Sequence, residues 1–566
     1  MAENDREETK RLLLDTESDI NSASWRRGNQ SASMSKEKTD YADSDDETKL
    51  VPETQGRLRD RIAIVACILV TELCERLTYY SVVANMVLFC TSKLKLTSDE
   101  ASNVNWVFTG TVYIIPVFGG FVADAIAGKY NTILGAGLIY LLGLFLLPAS
   151  AVDYRNWFSA DGDLSLEARK IFFFLGLVLV AIGTGGIKAN VGPFGALQVD
   201  DLGKDAVQSF FNWFYWFINV GAMVAYSGVA AIQQNIGFDY GFLVPLISMF
   251  FALIIFVMAK NKYRNIPPGD SVLSKSVRVC FQACRRDCSF ESARIERGGS
   301  FDKEMVDGVA ALTHVLPVFI LIIVYWAVNT QMGTSLFLQS ERMDIGIGGK
   351  QMPVALLNIF NTIIILILIP IVDRLIYPLL AKFGRNPTHL QRMGIGMILA
   401  ALAMVYAAVI EIIRKKDGYF LQRIADDKFN ASHISMFAQV PEFVLIGSSE
   451  VFTSISGLEF AYSQAPTFMQ GLMMGLFLMT SGLGSYLTTL IVFIIQQATN
   501  NDWFPKEPND GHMEYLLFFI AGLMILNLLI FIFVARWYKK KKSRLVEDNT
   551  VVIYDSVGAE VSFENN

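Results

Sequence analysis

Stretches of about 20 or more mostly apolar residues recur along the chain, separated by short polar segments. A helix of about 20 such residues crosses the ~30 Å hydrocarbon core of a bilayer. The pattern therefore predicts twelve membrane-spanning helices. Their approximate limits are 61–90, 101–126, 130–151, 168–189, 208–233, 241–260, 307–338, 353–381, 389–414, 436–461, 468–497 and 513–538.

Composition agrees with a membrane protein and excludes several other classes. Only 18% of the 566 residues are charged, against roughly 25% in soluble proteins. The formal net charge of −6 gives no reason to expect nucleic acid as a partner. The six cysteines form no zinc-type pair, and the four histidines are scattered. We therefore expect no metal, no cofactor and no enzymatic activity.

A polar insert separates six predicted spans from six. Two related six-helix bundles that rock about a site at mid-bilayer are a common transporter design. The arrangement resembles the major facilitator superfamily, so the expected fold is an all-α membrane protein. The predicted parts are a disordered tail at 1–56, a first bundle at 57–260, a cytosolic linker at 261–306, a second bundle at 307–540 and a tail at 541–566.

The basic loops fall on one side of the membrane if the number of spans is even. They are the approach 57–61, the turn at 128–129, the loop 382–392 and the tail 539–544. The positive-inside rule then makes both termini cytosolic. Asn430, in the sequence Asn-Ala-Ser, is a potential glycosylation acceptor on the opposite, luminal side.

The N-terminal tail carries a potential sorting signal. Glu8, Leu12 and Leu13 match the acidic dileucine pattern ExxxLL. Clathrin adaptors read such motifs on cytosolic tails and direct their cargo to endosomes and lysosomes. The alternatives are a chance apolar patch in the tail and residence in the plasma membrane.

The first predicted span contains charged residues near its middle. Glu72, Glu75 and Arg76 fall at i, i+3 and i+4, on one face of a helix. One charge at the bilayer centre costs roughly 2.5–3.5 kcal/mol on insertion scales, so such groups usually face a partner or a wet space. The alternatives are a salt-bridge cluster that packs helices and a polar transport site. The second is favoured, because packing alone rarely needs three ionisable groups.

Other spans add charged and polar groups that suit a zwitterion with separated ends. Lys188 closes the fourth span and needs an anionic partner, for which Glu72 or Glu75 is the obvious candidate. Arg76 and Lys188 can hold a carboxylate, and Glu450 in the tenth span can hold an ammonium. The residues predicted to bond amide groups are Asn219, Asn361 and Gln331. The aromatic residues predicted to line pockets are Tyr79, Tyr80, Tyr113, Tyr325 and Trp326. Packing between helices is the alternative for each isolated Asn or Tyr.

Several motifs together resemble the proton-dependent oligopeptide transporter family. They are Glu72-x-x-Glu75-Arg76, Gly119–Gly128, Phe214–Gly221 with Asn219, and Gly457–Pro466. Two further stretches, 210–216 and 232–235, resemble its peptide/histidine branch of solute carrier family 15 type, whose animal members are endolysosomal.

The resemblance implies roles for the same positions. Glu72, Glu75, Arg76 and Lys188 would couple protons, and Arg76 and Lys188 would also receive the peptide carboxylate. Glu450 would receive the amine, Asn219 and Asn361 would contact the peptide ends or backbone, and Tyr79, Tyr80, Tyr113 and Trp326 would line the pocket. The implied function is proton-coupled symport of di- and tripeptides and histidine from the endolysosomal lumen to the cytosol.

Two positions depart from the family pattern. Trp106 stands where animal plasma-membrane members have a histidine, so proton coupling must run through glutamates. Phe477 stands where many members have a tryptophan, so side-chain preference is expected to differ.

A second function stays open. The protein could act chiefly as a scaffold or sensor whose tail and insert recruit a cytosolic signalling partner. Transport by the purified protein separates these functions, because a scaffold tolerates Arg76→Ala and a carrier does not.

Overall fold

The computed structural model describes residues 50–154, 163–269, 271–286, 289–383, 387–425, 427–464 and 466–561. Contacts divide the chain into Met1–Arg59 and Asp60–Asn566, and nearly all described residues lie in the second unit. Glu8, Leu12 and Leu13 lie outside the described residues.

The first half of the described chain is α-helical. Its helices are α1 (Leu50–Ala84), α2 (Met86–Ser92), α3 (Ser98–Val122), α4 (Lys129–Ala151), α5 (Leu166–Leu197), α6 (Lys204–Val224), α7 (Ala230–Asn235) and α8 (Phe238–Met258). We call α1 to α8 the first bundle.

A linker helix and a second set of helices follow. They are the linker helix α9 (Val272–Arg286), then α10 (Lys303–Asn329), α11 (Ser335–Glu341), α12 (Asn358–Ile371), α13 (Tyr377–Lys382), α14 (His389–Lys416), α15 (Val440–Glu450), α16 (Ser456–Gln464), α17 (Gln470–Thr499) and α18 (Met513–Val561). We call α10 to α18 the second bundle. Two antiparallel hairpins interrupt it, β1–β2 (Gly346–Ile347 and Lys350–Gln351) and β3–β4 (Tyr419–Ile424 and Asp427–Ser432).

The membrane-spanning pattern predicted from the sequence is confirmed. Within the described ranges, eleven helical stretches are long and apolar enough to cross a membrane. Helix α1, whose apolar part contains Glu72, Glu75 and Arg76, completes the predicted twelve. Large apolar side chains such as Phe145, Ile171 and Phe533 are exposed on these helices. Since a water-soluble surface rarely carries so many, they indicate a surface that faces lipid.

Several spans are less regular than the sequence predicts. The first predicted span, 61–90, is wrong as a continuous helix, because it breaks at Asn85. The amide of Asn85 donates instead to Ala230 O at 3.0 Å and to Gln233 Oε1 at 3.1 Å, which ties the break to α7. At the other end of the chain, α18 continues beyond the predicted limit at 538.

Short π-helical segments widen four of the spans. They are Ala123–Ala127, Ala225–Val229, Val372–Ile376 and Val451–Ile455. The last one begins directly after Glu450. Such segments occur frequently at functional sites, because the extra residue in the turn redirects neighbouring side chains.

The two ends of the molecule differ, and we name them by their structure. The hairpin end carries β3–β4, and the linker end carries α9. At the hairpin end the two bundles are joined by an ion pair between Lys95 and Asp427 at 2.8 Å. Gln496 Nε2 also donates to Asp99 Oδ2 at 3.1 Å, and Gln234 Nε2 donates to the Met352 carbonyl at 3.0 Å. The hairpin end is therefore closed.

The linker touches both bundles at the opposite end. The backbone N–H of Gly269 donates to Asp124 O of the first bundle at 2.7 Å. Val279 and Ala293 pack in one apolar cluster with Val306 and Met469 of the second bundle. The chain between the bundles thus forms ordered contacts instead of only spanning a gap.

Midway along the spans, α3 and α17 approach closely. A Cβ atom on Gly482 would lie 2.7 Å from the Gly110 carbonyl oxygen. Small residues at such crossings let two helix backbones meet within a membrane. This crossing brings the two bundles into contact at the depth of the charged groups described below.

Candidate functional site

Helix α1 places two carboxylates around one guanidinium. Arg76 lies 3.1 Å from Glu72 and also forms an ion pair with Glu75. The three residues are at most 4% exposed. The i, i+3, i+4 spacing predicted this shared face, and the structure confirms that the groups meet.

A close helix crossing fixes the position of this group. A Cβ atom on Gly221 of α6 would lie 2.9 Å from Leu77 N and 3.1 Å from the Cβ of Arg76. Glycine at 221 therefore lets α6 pack directly against the turn that carries Arg76. A larger residue there would push the guanidinium or the helix away.

Lys188 of α5 faces aromatic rings. Its ammonium nitrogen lies 3.2 Å from the ring centroid of Tyr113 and 5.8 Å from that of Tyr79. Cation–π attraction of this kind compensates part of the cost of burying the charge. Within the described residues the ammonium has no hydrogen-bond partner. The predicted direct pair with Glu72 or Glu75 is therefore wrong for this state, although both carboxylates act on Lys188 electrostatically.

Tyrosines form a layer beside these charges. Tyr79 and Tyr80 of α1 have ring centroids 5.2 Å apart, and Tyr80 lies 5.4 Å from Tyr226. Tyr226 belongs to the π-helical segment after α6. The sequence prediction omitted it, because a tyrosine in an apolar run gives no sign of which face it occupies.

The second bundle presents a carboxylate held by amides. Asn329 Nδ2 and Asn361 Nδ2 both donate to Glu450 Oε1, at 2.9 Å and 3.1 Å. The sequence prediction included Asn361 and Glu450 as site residues but not Asn329. An amide in a helix looks the same in sequence whether it packs or supports a neighbour, so the omission has a physical cause.

Groups from the two bundles approach one another at this depth. Tyr80, Tyr113 and Tyr226 of the first bundle lie within electrostatic range of Glu450. Lys188, Tyr113 and Glu450 are half-buried as residues, although the Lys188 ammonium nitrogen itself is buried. Tyr113 therefore contacts the Lys188 ammonium and lies within electrostatic range of the Glu450 carboxylate.

The remaining predicted contact residues differ in whether their polar groups are free to bind a substrate. Trp326 is half-buried, 5.5 Å from Tyr325 between ring centroids, and its indole nitrogen has no hydrogen-bond partner among the described residues. Asn219 donates its amide to the Tyr215 carbonyl at 2.8 Å, one turn earlier in the same helix. Trp326 thus has a free donor, whereas the Asn219 amide nitrogen is already bonded.

Two positions that depart from the family pattern are buried. Trp106 is fully buried on α3, with its ring centroid 6.0 Å from that of Phe504 near the hairpin end. Phe477 packs 5.8 Å from Phe319 and is 1% exposed. Both side chains therefore help pack the protein.

One further predicted residue can be located on the structure. Asn430 is exposed on β4 at the hairpin end. Among the described residues, no group of three or more His, Cys, Asp or Glu side chains is placed to hold a metal ion.

Long apolar helices around buried charged groups suit a membrane transporter. A model of the POT family matches residues 130–509, and the chain belongs to that family. The predicted family is thus confirmed. Its members are transporters and not enzymes, as the sequence also predicted.

Relatives in plants and mammals support the assignment. The chain is 36% identical to Protein NRT1/PTR FAMILY 8.1 of Arabidopsis thaliana, over 84% of this chain and 93% of that protein. It is 31% identical to Solute carrier family 15 member 3 of Mus musculus, over 86% of this chain and 93% of that protein.

Solved structures agree with the fold. The crystal structure of an autoinhibited POT family peptide transporter matches with a TM-score of 0.69 and 25% identity, covering 84% of this chain and 96% of the other. The POT family transporter PepTSo matches with a TM-score of 0.68 and 25% identity, covering 84% and 98%. The expected all-α fold in two six-helix bundles is confirmed.

Proposed function

We propose that the protein is a proton-coupled symporter that moves di- and tripeptides and histidine from the endolysosomal lumen to the cytosol by alternating access. The observation that carries the proposal is the arrangement of opposite charges at one depth. Arg76 and Lys188 of the first bundle and Glu450 of the second border the same tyrosine layer.

The charges suggest how a peptide is held. The ammonium of a peptide matches Glu450, whose described hydrogen-bond partners are amides and not cations. The carboxylate matches Arg76 and Lys188, with Asn219 and Asn361 near the ends or backbone. Tyr79, Tyr80, Tyr113 and Trp326 would contact the variable side chains.

The first-bundle group suggests how a proton is coupled. Glu72, Glu75, Arg76 and Lys188 sum to zero when all are ionised. Protonation of one glutamate leaves one positive charge in excess, which attracts the substrate carboxylate. Proton release to the cytosol restores the balance after the substrate has left.

A lysosomal proton gradient supplies enough free energy for accumulation. Two pH units contribute about 2.7 kcal/mol per proton, at about 1.36 kcal/mol per unit. A membrane potential adds about 2.3 kcal/mol per charge per 100 mV. One proton can therefore support a roughly hundredfold concentration ratio, since a tenfold ratio requires about 1.4 kcal/mol.

Because the hairpin end is closed, we assign this structure to one step of the transport cycle. On the proposed topology, the hairpin end with Asn430 faces the lumen. The structure then corresponds to a state closed to the lumen, in which substrate leaves toward the cytosol. Opening to the lumen requires the pair between Lys95 and Asp427 to separate.

Residence in endosomes and lysosomes is part of the proposal. It is supported by the dileucine residues Glu8, Leu12 and Leu13, which a clathrin adaptor would bind, and by the resemblance to the peptide/histidine branch. Alanine at Leu12 and Leu13 should move the protein to the plasma membrane, the alternative location. Unchanged lysosomal residence in that variant would contradict the assignment of the signal.

Transport by purified protein in vesicles tests the proposed function. With an acidic interior standing for the lumen, wild-type protein should export a preloaded dipeptide, and Arg76→Ala should reduce the initial rate at least hundredfold. Lys350→Ala, an exposed residue of β2, is the matched control and should transport normally. Equal export by empty vesicles and by vesicles with wild-type protein would contradict transport and favour the scaffold or sensor function.

A further inference from the structure

A second group of buried charged side chains lies at the hairpin end of the second bundle, away from Glu450. Its members come from α11, α14 and α15 and the segments beside them, and each is at most 1% exposed. They are Glu341, Arg342, Glu411, Arg414 and Glu442.

Most of these charges are paired. Glu411 accepts from Arg414 Nε at 2.9 Å and from Gln339 Nε2 at 2.9 Å, and it lies 3.7 Å from Lys415. Arg342 lies 2.6 Å from Glu341. Arg342 and Lys415 also form ion pairs with Glu507 and Glu514, both at 2.8 Å. Each of these carboxylates thus has a cation beside it.

Glu442 differs from its neighbours. It is fully buried, and neither of its carboxyl oxygens has a hydrogen-bond partner among the described residues. The side-chain amide of Gln439, one turn earlier, is a donor close to this carboxyl group but outside hydrogen-bonding geometry, and Glu411 and Tyr406 of α14 interact with it electrostatically. Among the described residues, no cation is placed within ion-pair distance of it.

The neighbouring donors are already committed. Gln439 Nε2 donates to the Leu336 carbonyl at 3.3 Å and to Gln339 Oε1 at 2.8 Å. The Tyr406 hydroxyl donates to the Ala438 carbonyl at 2.9 Å. Among the described residues, an ionised Glu442 would therefore be buried with only the already bonded Gln439 amide close to it as a donor, and beside the like charge of Glu411. Folded proteins avoid such an arrangement by neutralising the group.

We propose that Glu442 is a proton-binding site that is occupied in this closed state, separate from the glutamates of α1. It lies on α15 eight residues before Glu450, or about 12 Å along a helix that rises 1.5 Å per residue. The site lies toward the closed hairpin end, so opening of that end would expose it to water and let it exchange its proton with that side of the membrane. The inference does not depend on which substrate the protein carries.

The pH dependence of thermal stability tests the site, with Glu442→Gln as the neutral variant of the same shape. A glutamate in an unfolded chain ionises above about pH 4.3. Wild-type protein must therefore take up a proton at position 442 to fold, and its stability relative to the variant falls as pH rises. We expect similar melting temperatures near pH 4.5, and a variant that melts increasingly above wild type up to about pH 7.5.

The coupling between folding and protonation of Glu442 also sets the size of the stability difference between wild type and Glu442→Gln. The ratio of the two unfolding constants should change about tenfold per pH unit until Glu442 itself ionises. A purely structural role of the side chain would give a difference that does not vary with pH. A variant that is less stable than wild type at neutral pH would overturn the proposal.

Infrared spectroscopy gives a readout that does not depend on stability. At neutral pH, the spectrum of wild-type protein minus that of Glu442→Gln should contain the C=O band of a protonated carboxyl. Carboxylate bands in its place would overturn the proposal. Glu411→Gln is the matched control, since it removes a paired carboxylate and should lose carboxylate bands and destabilise the protein by leaving Arg414 unpaired.

Discussion

The two bundles hold their mid-membrane carboxylates in different ways. In the first bundle, Glu72 and Glu75 share the Arg76 guanidinium. In the second bundle, Glu450 accepts hydrogen bonds from Asn329 and Asn361. Amides orient a carboxylate but bring no formal positive charge to it.

On the proposed function, this difference gives different tasks to the two sides. The first-bundle charges compensate one another, so adding or removing one proton changes the net charge of the group. On the proposed function, the Glu450 side, with its amide partners, carries the negative charge that a substrate ammonium neutralises. The first bundle therefore suits proton coupling, and the second suits recognition of an amine.

The largest effect is expected from a substitution that removes the proposed proton site of the first bundle. Glu75→Gln keeps the size of the side chain but fixes it in the neutral form. We expect proton-driven accumulation of a dipeptide in vesicles to fall to the level of the external concentration, while exchange of labelled for unlabelled dipeptide persists.

Glu459→Gln is the matched control for this prediction. Glu459 is exposed and lies 3.5 Å from Arg392 in the second bundle. Its variant should accumulate dipeptide as wild type does. Undiminished accumulation in Glu75→Gln would show that the proton is not carried by that residue.

A smaller effect is expected from the amides that support Glu450. Loss of one hydrogen bond to a charged group costs about 1.5–3 kcal/mol, so Asn329→Ala or Asn361→Ala should weaken dipeptide uptake roughly tenfold to a hundredfold. The measurement is the concentration of dipeptide that gives half-maximal uptake.

Asn358→Ala is the control variant. It shows whether weaker uptake comes from losing the hydrogen bond to Glu450 or from losing any amide in α12. Asn358 is also buried, but its amide donates to the Ala355 carbonyl at 3.1 Å. It should leave uptake within about twofold of wild type, which corresponds to about 0.4 kcal/mol. A loss as large as that of Asn361→Ala would mean that the amides of α12 act through packing.

The smallest effect is expected at the closed hairpin end. Exposed ion pairs contribute about 1 kcal/mol at most, so Lys95→Ala should raise the open population up to about fivefold. Amide hydrogen exchange in β3–β4 should rise by the same factor, since the pair ties that hairpin to the first bundle.

A variant of the second residue of the ion pair, Asp427, tests whether Lys95 and Asp427 act together. Asp427→Ala should raise exchange as Lys95→Ala does, and the double variant should add nothing further. Independent, multiplying effects would mean that the two side chains act on the hairpin separately.

The sequence predicted the spans well because membrane depth sets the length of each apolar run. It did not predict the break at Asn85, since that break depends on hydrogen bonds to Ala230 and Gln233, which are distant in the chain. The β3–β4 hairpin was also missed, because its strands alternate too weakly to differ from a polar loop.

The candidate site was also only partly predictable, because some of its contacts depend on how distant helices pack. The spacing of Glu72, Glu75 and Arg76 determines their shared helical face, so their contact was predictable. Whether Lys188 meets a carboxylate or Tyr113 depends on how α1, α3 and α5 pack, which one helix pattern does not contain. Asn329 of the seventh span was left out of the predicted site for the same reason.

Uptake of a free dipeptide and of its N-acetyl form, by wild type and by Glu450→Gln, tests the central claim most directly. The claim is that Glu450 receives the substrate ammonium while the first bundle receives the carboxylate. Wild type should prefer the free dipeptide roughly tenfold or more, as a charge-assisted hydrogen bond implies, and Glu450→Gln should lose that preference. A variant that still transports and keeps the full preference would contradict the claim.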